Sequence, residues 1–166
     1  MDVIIKGARL VDSTMDSRTS VGDIVIENGC ISDVVIGDCG IASSDKFQMI
    51  DAHGLTAMPA FVDLHAHFRD PGLTYKEDIE SGSKAAVRGG YTTVNLMANT
   101  KPVCSSMDTV NYVKRRAEEV GLVDVHQTVS ITKDFDWRTL SHLDELDDSV
   151  MFISDDGKGS PIPNDV

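Results

Sequence analysis

The sequence predicts a mixed α/β chain in which a small antiparallel β layer is followed by the first half of an eight-stranded α/β barrel. Three observations carry this reading. Residues 1–57 hold short β-rich runs broken by turn residues, and strand-like and helix-like stretches alternate after Pro59. The length, 166 residues, falls short of the ~250 that a closed barrel typically takes.

Within residues 1–57, Val3–Val11 is an apolar, β-branched run. Asp23–Glu27 and Cys30–Ile36 flank Asn28-Gly29, a pair that accepts the positive φ angles of a two-residue hairpin turn. A further strand is expected over Phe47–Ile50, before Asp51-Ala52-His53-Gly54 turns the chain.

Residues 58–166 then form the barrel portion. A first strand covers Ala60–Ala66, and a first helix spans Glu77–Arg88, with Thr74-Tyr75-Lys76-Glu77 as capping box and Gly89-Gly90 as stop. A second strand runs from Tyr91 to Met97. A second helix, Met107–Val120, is capped by Ser105 or Ser106, carries an apolar stripe of Val110, Val113, Ala117 and Val120, and ends at Gly121. A third strand (Leu122–Ile131), a third helix (Trp137–Leu146) and a fourth strand (Ser149–Ser154) complete the count. Half a barrel leaves two unprotected edges and an exposed apolar interior, so the sequence is expected to be the N-terminal portion of a longer polypeptide.

Composition excludes several classes of partner. A net charge of −12, from 27 acidic against 15 basic residues, opposes nucleic acid and anionic membrane surfaces, whose sequence-independent attraction is electrostatic. Cys30, Cys39 and Cys104 are odd in number and show no Cys-x-x-Cys spacing, so neither a disulfide framework nor a thiolate zinc site is indicated. The start lacks a basic leader with a long apolar core, and no apolar run approaches ~20 residues. A cytoplasmic location with reduced thiols is the expectation.

Chemistry gathers at predicted strand ends, where barrels of this kind place their active residues. In Phe61-Val62-Asp63-Leu64-His65-Ala66-His67-Phe68-Arg69-Asp70-Pro71-Gly72, a strand puts His65 and His67 on one face, about 7 Å apart at their backbones. Two imidazoles followed by Arg69 suit a site where a divalent metal activates water and a guanidinium holds an anionic substrate. By itself His-x-His also suits ordinary strand residues beside a turn. Asn99 follows the second strand and also suits a plain turn residue. Asp155 and Asp156 follow the fourth strand, as loop carboxylates beside Gly157 or as metal ligands. Asp63 shares a face with His65, as its hydrogen-bonding partner or as structural support. His126 reads as a packed strand histidine, and His53 and His142 are given no chemistry.

The run Pro59–Gly72 resembles the signature of the amidohydrolase superfamily, and in detail that of the long bacterial dihydroorotases, with Ala60 where the family has Gly and Asp70 where Glu is common. Leu96-Met97-Ala98-Asn99-Thr100-Lys101-Pro102 is similar to the family's Met-Pro-Asn-Thr-x-Pro loop, with Ala98 in place of proline. Phe152-Ile153-Ser154-Asp155-Asp156-Gly157 is similar to its Phe-x-Asp-Asp-Gly element. The resemblance implies a metal-dependent hydrolase barrel and one or two Zn2+ ions on His65, His67 and Asp156, the last as bridging ligand. It also implies a substrate carboxylate held by Arg69 and Asn99, and reversible hydrolysis of dihydroorotate to N-carbamoyl-L-aspartate. Further histidine ligands and the proton-shuttling carboxylate would follow later strands, so the 166 residues alone are expected to be inactive. A partner implied by the family is aspartate carbamoyltransferase, or a further copy of the chain.

Two rival readings remain. An allantoinase or hydantoinase would usually bridge its metals with a carboxylated lysine on the fourth strand, and Ser149–Ser154 contains none. A non-catalytic dihydroorotase-like subunit would typically lose the ligands that this chain keeps.

Overall fold

The computed structural model describes residues 2–12 and 20–158, which divide into two compact units, Met1–Pro59 and Ala60–Val166. The first is organised around β1 (Asp2–Leu10), whose Ile4, Ala8 and Leu10 are buried. It pairs antiparallel with β2 (Val21–Glu27), and β2 pairs antiparallel with β3 (Cys30–Ile36). The β2–β3 turn falls where the sequence places it, with Asn28 at φ 53° and Gly29 at φ 77°. On the other side of β1 the pairing is parallel: β4 (Phe47–Asp51) and β5 (Thr56–Ala57) both join it in that sense. The antiparallel layer is therefore extended into a mixed sheet, because residues 37–46 carry the chain to the far side of β1 before it returns. Ala8, Leu10 and Ala52 form the small core of this unit.

The second unit is the α/β part. Its parallel sheet has the order β6-β7-β8, with β6 Phe61–Ala66, β7 Tyr91–Leu96 and β8 Asp124–Gln127. Crossovers are α1 (Ile79–Arg88) and α2 (Met107–Val120). Valines and leucines of the sheet meet the helices in a cluster of Phe68, Ile79, Val94, Leu96, Val113 and Ala117. Burial of each large aliphatic side chain contributes roughly 1.5–3 kcal/mol. Helix α2 spans the expected residues and ends on Gly121 at φ 62°, the left-handed cap that glycine accepts without strain. Its N-cap is Ser106, whose side chain makes no capping hydrogen bond.

Four expectations are corrected. Helix α1 begins two residues late, because Asp78 and Ser81 form the capping box in place of Thr74 and Glu77. Strand β8 is shorter than Leu122–Ile131. No α-helix forms over 137–146: Trp137 takes φ 57°, and the Asp136 carboxylate accepts from Arg138 N (2.8 Å) and Thr139 N (2.9 Å). Such local side-chain bonds compete with a helix ladder, leaving short 3-10 turns at Lys133–Phe135 and Ser141–Glu145. The fourth strand is reduced to one parallel bridge, Val129↔Ile153. Its first half is taken by a turn on Asp147, which accepts Ser149 N at 2.9 Å through its side chain and Val150 N at 3.1 Å through its carbonyl.

Among the described residues no helix is long and apolar enough to cross a membrane.

Candidate active site

The alternation of β6 continues past its last residue and sorts the signature into two sets. Phe68 and Asp70 are buried, 7% and 4% exposed. His65, His67 and Arg69 point the other way, onto the rim where β7 ends and the Ile153 segment arrives, as their partners below show. The β6 backbone is braced by Asp63, which accepts the backbone N–H of His65 at 3.0 Å. Asp63 thus acts as structural support and not as a partner of the imidazole.

Asn99 stands at the centre of the rim. Its amide oxygen lies 3.1 Å from His67 Nδ1, its amide nitrogen donates to Asp156 Oδ2, and its carbonyl accepts from Arg69 Nη1 at 3.3 Å. The contact fixes the orientation of the His67 ring, while which ring nitrogen carries the proton depends on the tautomer. Asp156 reaches His65 Nε2 at 2.9 Å and His67 Nδ1 at 4.0 Å. The two imidazoles stand edge-on, ring centroids 5.0 Å apart.

The two neighbouring acids divide the work. Asp155 accepts Thr132 N at 3.1 Å and Thr132 Oγ1 at 2.9 Å, which ties its loop to the segment beyond β8. Asp156, at φ 53° with its N–H on Ser154 Oγ (3.0 Å), turns its carboxylate into the rim.

A divalent metal fits this donor set. One ligand atom each from His65, His67 and Asp156 lie within 4.8 Å of one another. Bonds of about 2.0–2.2 Å spread the donors of one ion roughly 3–4 Å apart, so closing on an ion takes well under an ångström each. Two imidazoles and a carboxylate also make up a three-ligand catalytic zinc set, with a further position open.

The structure brings together five residues singled out in the sequence, His65, His67, Arg69, Asn99 and Asp156. His126 lies on β8, paired with Asn95 across the ladder. His53 bonds to Asp51 at 2.6 Å in an exposed turn, and buried His142 bonds to the Ser130 carbonyl at 3.0 Å. Sequence reasoning missed the Asp155–Thr132 tie and the bond from Tyr112 Oη to Asp70 Oδ1 (2.9 Å). Their partners lie 23 and 42 residues apart, and no local pattern joins them. It also missed a second group of ligand-type residues in the first unit, Asp23, Asp38 and Cys39.

Fold and rim together define the class, the N-terminal portion of a hydantoinase-like barrel of the amidohydrolase type. The L-hydantoinase (dihydropyrimidinase) of Arthrobacter aurescens superposes with a TM-score of 0.70 at 28% identity, over 87% of this chain and 29% of that one. The D-hydantoinase (dihydropyrimidinase) from a Thermus species gives 0.61 at 28% identity, over 86% and 30%. More narrowly, residues 54–160 match the family described as dihydro-orotase-like, and the chain belongs to that family. A dihydroorotase of Clostridium botulinum is 50% identical over 161 residues, covering 96% of this chain and 39% of the relative. One of Clostridioides difficile is 41% identical over 157 residues, covering 93% and 36%. The chain thus spans about two-fifths of the length of these relatives.

Proposed function

We propose that this chain supplies the first half of a dihydroorotase, a zinc enzyme that reversibly hydrolyses the cyclic amide of (S)-dihydroorotate to N-carbamoyl-L-aspartate. The observation that carries the reading is the meeting of His65, His67 and Asp156 within 4.8 Å, on a rim that also holds Arg69 and Asn99. His65, His67 and Asp156 would hold the metal. Zinc in such a set polarises the scissile carbonyl and lowers the pKa of water from 15.7 to about 7.

The chain's own residues do the rest of what this half contributes. Asn99 orients His67 through its amide oxygen and Asp156 through its amide nitrogen. Arg69 presents a planar fork of N–H donors suited to the substrate carboxylate. The half-exposed face of His65 leaves room for the ring to lie against the ligands. Because N-carbamoyl-L-aspartate, the substrate of the reverse, ring-closing direction, is the product of carbamoyl transfer to aspartate, aspartate carbamoyltransferase is the enzyme whose product this site would receive, and a complex with it is part of the proposal.

A hydantoinase activity is the second reading, favoured by the 0.70 superposition on L-hydantoinase. One experiment separates the two. Residues 1–158 replace the matching segment of the Clostridium botulinum relative, and the chimera is assayed with dihydroorotate and with hydantoin. Formation of N-carbamoyl-L-aspartate that His67→Ala abolishes is expected, and a folded chimera that opens hydantoin instead would transfer the assignment. The 166-residue chain by itself is expected to show no turnover; metal-dependent hydrolysis of dihydroorotate by it would overturn that part.

A further inference from the structure

Arg69, like Asp156, has its backbone in the left-handed region. Its φ is 61°, a conformation unfavourable for a residue with a Cβ unless its surroundings impose it. The surroundings are on both sides of it in sequence. Phe68 is buried in the core between sheet and helices, with its ring against Gly82 of α1, where an added Cβ would come within 2.4 Å. Asp70 is 4% exposed and carries a carboxylate into the helix layer. There Tyr112 of α2 donates its hydroxyl to Oδ1 at 2.9 Å, and the first N–H of α1, Ile79 N, points at Oδ2 at 3.5 Å. A carboxylate at a helix N-terminus meets free N–H groups and the positive end of the helix dipole.

The loop is fixed from its far end as well. Leu73 N donates to the Arg69 carbonyl at 2.9 Å, and Lys101 N donates to the Pro71 carbonyl at 3.0 Å. Gly72, at φ 88°, lies so close to the Lys101 carbonyl that an added Cβ would come within 1.9 Å of it. Loops 69–73 and 99–102 are therefore tied to one another, and the buried end of the tie is Asp70.

We infer that Asp70 and Tyr112 are positioning residues: their partly buried bond, together with the start of α1, sets the backbone of Arg69 so that its guanidinium faces the substrate carboxylate beside Asn99. This rests on the dihydroorotase reading of Arg69. It adds two residues outside the rim, one of them on the helix layer, to the machinery that recognises the substrate. The Tyr112 hydroxyl is also pushed above its ordinary pKa, first by burial and then by its bond to Asp70.

The test follows the side-chain Nε–Hε signal of Arg69, assigned with Arg69→Lys, by NMR of the zinc-loaded chimera in which residues 1–158 replace the matching segment of the Clostridium botulinum relative, carrying the wild-type segment, Tyr112→Phe, Asp70→Asn or Asp70→Glu. In the wild type the signal is expected to be sharp, protected from exchange and shifted by N-carbamoyl-L-aspartate. In Tyr112→Phe it should exchange faster and saturate at about tenfold higher ligand concentration, the order of loss that misplacing a recognition group causes. Asp70→Glu, which keeps the carboxylate, should stay close to wild type. Tyr112→Phe removes one oxygen, so it stands in wherever Asp70→Asn fails to fold. An Arg69 signal unchanged in Tyr112→Phe overturns the inference alone. A wild-type Arg69 signal that N-carbamoyl-L-aspartate does not move overturns the carboxylate reading and the inference with it.

Discussion

Two clusters of metal-ligand residue types, one in each unit, differ in what balances their charge. In the first unit Asp23 is 2% exposed, accepts Gly7 N at 2.9 Å and Cys39 N at 2.8 Å, and meets the Lys6 ammonium at 2.6 Å. Lys6 also reaches Asp38 at 2.5 Å. Burial on its own would raise the Asp23 pKa, but the ammonium and the two amides outweigh it and hold the carboxyl well below the usual range. Lys6 is correspondingly pushed up, chiefly by its bonds to Asp23 and Asp38. In the second unit Asp156 meets two imidazoles and an amide, while the nearby guanidinium of Arg69 is turned to the Asn99 carbonyl. A carboxylate already neutralised by an ammonium has no need of a metal; one whose partners are two imidazoles and an amide is the one proposed as a ligand. Residue types alone put both clusters in the same category, and the built-in cation separates them.

The largest effect expected from this contrast is on zinc affinity. His65→Ala, His67→Ala and Asp156→Ala should each weaken zinc binding by roughly 100-fold or more, since loss of outer partners alone costs 10–100-fold. Asp23→Ala and Asp38→Ala should leave it unchanged. Chelator competition measures both; a zinc ion displaced by Asp38→Ala would erase the distinction.

The next effect is on stability, with the roles reversed. Asp23→Ala strands Lys6 and two backbone amides, and should lower the melting temperature by roughly 5 °C or more. Asp156→Asn keeps its shape at a rim that is already polar and should shift melting of the metal-free chain by about 1–2 °C at most. Calorimetry of the two variants side by side decides.

The smallest effect is on pH dependence. A group whose folded pKa is depressed stabilises the fold fully above its unfolded value, near 3.9 for aspartate, and loses that contribution as pH falls toward the folded value. The stability gap between wild type and Asp23→Asn should therefore be constant above about pH 5 and shrink toward pH 2. Denaturant titrations at several pH values would show it, and a gap that widens on acidification would contradict the assigned direction.

Legibility in the sequence followed how local each determinant is. The β2–β3 hairpin is written in Asn28-Gly29, and α2 is written in a valine–alanine stripe closed by Gly121; both appear where expected. The start of α1 was misplaced because two capping boxes compete within five residues, and only packing of Ile79, fully buried, selects the second. The third helix failed on Asp136, whose carboxyl is lowered to about 2, chiefly by the Thr139 hydroxyl and then the Thr139 and Arg138 amides. The parallel entry of β4 beside β1 depends on the path of a ten-residue connection, which no residue pattern specifies. At the rim, His65, His67, Arg69, Asn99 and Asp156 were readable because each lies at a strand end. What holds them was not, since Asp70 bonds to α2 and Asp155 to Thr132 through contacts made only after folding.

Asp155 and Asp156 are identical letters side by side, yet the structure gives them unequal freedom to change. Asp155 serves as an acceptor for an amide through Oδ1 and for a hydroxyl through Oδ2, and an asparagine oxygen can take over one of the two. Asp156 contributes a negative charge to two imidazoles, which no neutral substitute supplies. Drift at this dipeptide is therefore expected to be one-sided: a chain that has become Asn-Asp keeps the carboxylate proposed as a metal ligand, whereas one that has become Asp-Asn has kept only its scaffold.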